Sequence, residues 1–130
     1  LWGGNDDWEV YLVSESAGEY EISRAGWIGD YVDPNNFLDL FLCGGGNNRT
    51  GWCNEEYDRL ILDVAPSMSS HKERLEVFQQ AETMLLNEMP IIPIYTYTSV
   101  QLVDSSVKNF DANIMNAASY KDIYLQPDKE

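Results

Sequence analysis

Arg24-Ala25-Gly26-Trp27-Ile28-Gly29-Asp30-Tyr31 places a guanidinium, an indole, two glycines and a carboxylate in one short stretch. The β-prone run Tyr20–Ile22 leads into it, so the passage reads as a strand running into a loop. Gly26 and Gly29 lack a Cβ, which lets another main chain approach closely or φ turn positive. Asp30 then stands beside accessible backbone. Such a stretch suits one wall of a pocket. Were the ligand a peptide, Asp30 would meet its charged amino terminus, and main-chain groups around Trp27 and Ile28 would pair with its backbone. Trp27 would form a flat side.

The elements around this stretch are mostly helical. Upstream, Asn5 is set to cap a helix from Asp6 to about Ala17, with acids in its first turn and Gly18 as its stop. Trp8, Tyr11, Leu12 and Glu15 share one face of it. Downstream, Asp33 caps a helix that Pro34 opens, with Phe37, Leu38, Phe41 and Leu42 as its apolar stripe. Gly44 to Asn48 ends it, and Asn54 starts another helix with Tyr57, Leu60, Ile61 and Val64 facing inward and Pro66 as its stop. Ser70 and Glu73 match a capping box ahead of Leu75, Phe78, Ala81, Glu82 and Leu85 at helical spacing. After Pro90 the texture changes. Ile91–Thr98 is β-branched and aromatic, and Val100–Val103, Phe110 and Tyr120–Leu125 read as short strands and loops. A helix-rich first part, residues 1–90, therefore meets a strand-rich tail, residues 91–130.

Composition narrows the function classes. The chain has 130 residues, 44% of them hydrophobic, enough for a core. Eight basic against 22 acidic residues give a net charge of −14, which excludes non-specific nucleic-acid binding, since phosphate neutralisation needs clustered Lys and Arg. No run approaches the ~20 apolar residues of a membrane span. Cys43 and Cys53 flank a Gly/Asn-rich loop; whether they pair is open, and two cysteines alone support no zinc framework.

The stretch from Arg24 to Tyr31 is followed by Asp33-Pro34, Phe37-Leu38, Asn47-Asn48-Arg49-Thr50-Gly51-Trp52 and Tyr57-Asp58. Further on come Arg74, Ala81-Glu82, Glu88, Pro90, Pro93-Ile94-Tyr95 and Tyr120-Lys121-Asp122-Ile123-Tyr124. In this order the motifs resemble the C-terminal part of oligopeptide-binding proteins, the family 5 solute-binding components of peptide-importing ABC transporters. The resemblance implies an α/β fold, the C-terminal portion of a two-lobed periplasmic-binding-protein type II flytrap. Residues 1–90 would end one peptide-binding lobe, and residues 91–130 would cross the hinge and complete the other. It also implies an extracytoplasmic location, an oligopeptide ligand, a membrane ABC permease as partner and no cofactor.

By the same resemblance, Asp30 pairs with the peptide's α-ammonium group. Trp8 and Trp27 line the cleft, and backbone groups of Gly26, Trp27 and Ile28 add the peptide as a strand. Tyr97 reaches in from the opposite lobe. Arg24 holds a family position either as a ligand contact or as a structural ion-pair partner. Glu15 departs from relatives that carry a basic residue there for a peptide's carboxylate, so carboxylate recognition and peptide length stay open.

Other chemistries are poorer fits. Asp30, Asp33, Asp39 and Glu88 offer carboxylates for glycoside hydrolysis, but spacing along a chain does not establish geometry across a cleft. There is no G-x-S-x-G and no phosphate loop, and the sole histidine, His71, falls at a helix start. A calcium site from Asp30, Asp33, Asn35 and Asp39 lacks the EF-hand spacing. A non-catalytic alternative is an interaction or self-association domain that binds no ligand itself and associates through sheet edges.

Overall fold

The computed structural model describes residues 7–111, 113, 115 and 119–126. They fall into two compact units. One comprises the chain through Ile28 together with Asp33–Ile92; the other joins Gly29–Val32 to the chain from Pro93 onward.

The first unit is helical. Helix α1 spans Trp8–Ala17 and ends at Gly18, whose left-handed backbone (φ 71°) returns its N–H to Glu15 and thereby satisfies an orphan carbonyl. The expected start at Asp6 and cap at Asn5 lie outside the described residues. None of the helix's side chains is buried, so the expected shared face of Trp8, Tyr11, Leu12 and Glu15 packs into no core. Tyr11 ties it down instead: its hydroxyl oxygen lies 2.7 Å from Glu15 Oε1 and 3.0 Å from the Arg24 carbonyl. Burial and the Glu15 carboxylate raise the pKa of this phenol.

Helix α2 spans Asn35–Leu38 and runs into a 3-10 turn, Asp39–Phe41. Asp33 accepts the Asn35 N–H at 2.9 Å, as its position before Pro34 predicts. Asn54 accepts the N–H groups of Glu56 and Tyr57 at the start of α3, Glu55–Arg59. The helix then widens into a π segment, Leu60–Val64, and closes with α4, Ala65–Ser67. Pro66 therefore does not stop the helix where expected. The wider turn lies just upstream of the proline, where an α-helical carbonyl would meet its ring and find no N–H. Helix α5, His71–Glu88, begins with the predicted capping box: Ser70 Oγ accepts the Glu73 N–H, and Glu73 accepts the Ser70 N–H.

The core follows these periodicities. Tyr57, Leu60 and Ile61 pack with Leu38, Ala65 and the α5 residues Val77, Phe78, Ala81 and Leu85. Leu75, expected inside, is 39% exposed. Arg74 crosses from α5 to Asp33 with two contacts of 2.6 and 2.9 Å, and its guanidinium carbon lies 4.5 Å from the centre of the Phe78 ring.

Cys43 and Cys53 are joined as a disulfide, with 4.6 Å between their Cα atoms. Inside the loop it closes, Asn48 Nδ2 faces the carbonyls of Phe41, Leu42 and Trp52 at 2.9 to 3.1 Å, and its Oδ1 accepts from Thr50. The Asp58 carboxylate accepts the Cys43 N–H, and Glu88 accepts from the Trp52 indole and the Asn54 amide, both at 2.7 Å.

The second unit is less regular than its composition suggests. Among the described residues its regular strands are β1, Val107–Lys108, and β2, Tyr124–Leu125, paired antiparallel as Val107 with Leu125 and Lys108 with Tyr124. Tyr120–Asp122 forms a 3-10 turn just before β2. Ile91–Thr98 and Val100–Val103 form no strand, nor does Phe110, and in the first unit neither does Tyr20–Ile22. β-branched and aromatic side chains favour an extended backbone, but a strand also needs a second strand in register to form a ladder.

Two predictions follow from the first unit. Replacing Cys43 and Cys53 by serine should lower unfolding free energy by roughly 2–3 kcal/mol in a urea titration, the entropy of opening so short a loop. The Arg74 guanidinium lowers the pKa of Asp33, with a further contribution from the Asn35 N–H against the cost of burial. That pair stabilises the fold above the carboxyl's unfolded pKa of about 3.9, and the contribution disappears as pH falls through the folded value. Asp33→Asn should therefore cost stability at pH 7, and the gap from wild type should close below about pH 4 in parallel thermal melts.

Candidate functional site

From Ser23 to Gly29 the chain takes no regular secondary structure and joins no ladder. Gly26, Trp27 and Ile28 make no backbone–backbone hydrogen bond among the described residues. Glycine takes no left-handed turn here: the positive-φ glycines described are Gly18, Gly44 and Gly51. Among the described residues, the N–H and C=O groups of Gly26, Trp27 and Ile28 are therefore not taken up by other main chain.

The side chains along the stretch differ in how they are held. Trp27 is 39% exposed, and its indole N–H donates to Asn36 Oδ1 at 2.8 Å. Ile28 is almost fully exposed. Arg24 is exposed, and its carbonyl accepts from Tyr11. Asp30 is exposed on the Gly29–Val32 segment, and its carboxylate has no partner among the described residues. The chain leaves the helical unit after Ile28 and rejoins it at Asp33, where Arg74 grips the carboxylate.

The remaining predicted site residues lie elsewhere. Trp8 sits on α1, 69% exposed, stacked on Tyr11 with ring centres 5.3 Å apart. Tyr97 belongs to the second unit, exposed and edge-on to Tyr95 at 4.7 Å. Glu15 is engaged within its own unit by Tyr11, with the Ser23 hydroxyl 3.4 Å away.

Two of the carboxylates considered for other chemistries are engaged within the fold. Asp33, wanted for a calcium site or a hydrolytic pair, has both oxygens on Arg74. Glu88 has one oxygen on Trp52 and the other on Asn54. These carboxylates hold the fold together.

Two contributors escaped the sequence reading. Asn36, only 3% exposed, anchors Trp27, and a signal was present: helical spacing puts it one turn before Leu40, on a buried face. Arg74 stood among the quoted motifs without a role. Its partner lies 41 residues away, a distance that no local pattern spans.

No protein-family model matches the chain. It is 42% identical over 104 residues to the dipeptide-binding protein DppE of Bacillus subtilis (strain 168), covering 80% of this chain and 19% of that protein. It is 32% identical over 116 residues to the periplasmic murein peptide-binding protein MppA of Escherichia coli (strain K12), covering 89% and 21%. Among solved structures, the unliganded open form of the murein tripeptide-binding protein superposes with a TM-score of 0.79 at 30% identity, over 94% of this chain and 24% of that one. The Listeria monocytogenes OppA bound to peptide superposes at 0.70 and 30%, over 92% and 22%. The chain thus spans about a fifth of the length of the curated relatives it matches. No described helix is long and apolar enough to cross a membrane. In sequence and in fold, the chain is homologous to a segment of the oligopeptide- and dipeptide-binding proteins.

Proposed function

We propose that this chain is part of a protein that captures oligopeptides outside the cytoplasm and delivers them to an ABC import permease. The observation carrying this reading is that the relatives, by sequence and by structure, are named for binding peptides. Within the segment, Asp30 anchors the peptide's amino terminus. Its exposed carboxylate has no partner among the described residues, so an ammonium group gains the attraction once a closing cleft excludes water. Gly26, Trp27 and Ile28 pair with the peptide's main chain, a mode that reads no side chains, and the lack of backbone–backbone bonds at them among the described residues supports it.

Trp27 and Trp8 supply flat apolar surface that accepts varied side chains, with Tyr97 and Arg24 as further contacts. Residues 1–90 end one lobe, and residues 91–130 cross to the other. Two relatives named as periplasmic support an extracytoplasmic setting, and the Cys43–Cys53 disulfide suits an oxidising compartment. The relatives are named as binding proteins, which favours capture over catalysis.

The test is to exchange this segment for the matching one in the Bacillus dipeptide-binding relative and titrate short peptides calorimetrically. Free-amine peptides should bind about 30-fold or more tightly than N-acetylated copies, the cost of losing one partner of a desolvated charge pair. Asp30→Asn should erase that preference. Equal affinity for both peptide forms in the unmutated protein would remove the anchoring role from Asp30.

A further inference from the structure

Among the described residues, Asn36 on α2 is the buried residue with a polar amide side chain, 3% exposed, on a helix that also buries Leu38. A buried amide is unfavourable unless hydrogen bonded, and an apolar side chain of the same size would fill the place without that cost. What the amide adds is direction. Its Oδ1 accepts the Trp27 indole N–H at 2.8 Å, a bond from a packed helix to the irregular stretch nine residues earlier. An indole has two side-chain torsions, and fixing its N–H fixes the ring plane while leaving part of the ring open to solvent.

The far end of the excursion is held as firmly. Asp33 binds Arg74 through both oxygens, and Arg74 lies on Phe78 inside the same unit. The chain is therefore pinned to one rigid body on both sides of Gly29–Val32.

Resting on the peptide-capture reading above, we infer that Asn36 is a positioning residue for Trp27: it holds the indole plane so that one face is presented to the peptide, and it thereby sets which peptide side chains are accepted. The asparagine itself does not touch the ligand. A flat, fixed face favours aromatic and planar side chains over branched ones, because stacking depends on orientation and simple burial does not.

Two measurements decide this. In the 130-residue chain, the Trp27 indole hydrogen should exchange slowly with solvent by nitrogen-15 NMR, and Asn36→Leu should make it exchange at the rate of an open indole. In the segment-exchanged protein, Asn36→Leu should weaken binding of a tripeptide bearing an aromatic residue about tenfold, and an alanine counterpart less than twofold. Trp27→Phe, which keeps Asn36 and so guards against a misfolded Asn36→Leu, should show the same selective loss. In the Trp27→Phe background, Asn36→Leu should then cost less than twofold, whereas a merely structural role would add its full effect. An exchange rate indifferent to Asn36, or equal losses for both peptides, overturns the inference and leaves peptide capture standing. Absence of any peptide binding by the unmutated exchanged protein overturns both.

Discussion

Tyr57 is the interaction on which the helical unit depends. Its ring has no exposed surface, sits edge-on to Trp52 at 4.9 Å, and sends its hydroxyl 2.6 Å to the carbonyl of Leu38. That carbonyl lies at the end of α2, where the last turn of any helix leaves acceptors unfilled. One side chain thus packs the centre of the core and closes the end of a neighbouring helix. Burial, reinforced by nearby carboxylates, pushes the phenol's pKa far above its ordinary value, so it remains a neutral donor at any physiological pH. With α2 fixed to α3 in this way, the positions of Asp33 and Asn36 follow, and so do the two points between which the candidate site is strung.

The segment divides its polar groups between two tasks. Around the disulfide, several polar side chains are fully engaged: Asn48 on three carbonyls, Asp58 on the Cys43 amide, Glu88 across Trp52 and Asn54. Such networks are rigid because breaking one member strands the others. At Gly26, Trp27 and Ile28 the backbone makes no backbone–backbone bond among the described residues, and the Asp30 carboxylate is exposed. A stiff support beside an open edge is the arrangement that recognition by main-chain pairing requires, since a mobile edge would have to be ordered at the ligand's expense.

Local chemistry made the helices legible. The Ser70/Glu73 capping box, the Asn54 cap, the Gly18 stop and the core positions of α3 are all decided by contacts within a few residues, and short-range pattern carries them. Runs such as Ile91–Thr98 misled because β-propensity reports how a side chain sits on a sheet, while pairing depends on a partner elsewhere in the chain. The same limit hid Arg74 and Glu88, whose partners are 41, 36 and 34 residues distant. Trp27 and Asp30 stood out for their unusual company of residue types. Asn36, equally part of that arrangement, is one of two asparagines at the start of the helix that Pro34 opens, and only its place one turn from Leu40 distinguishes it.

The Asn48 amide has a consequence for producing this protein. Asn48-Arg49-Thr50 is an acceptor sequence for N-linked sugar in a eukaryotic secretory host. Its nitrogen carries two hydrogens, and the folded loop already directs them at three carbonyls. A glycan would take one of those hydrogens and bring a bulky, hydrated group to the centre of the disulfide-closed loop. Sugar transfer and folding therefore compete for the same atom, and a chain glycosylated before the loop closes forfeits the hub that joins Phe41, Leu42 and Trp52.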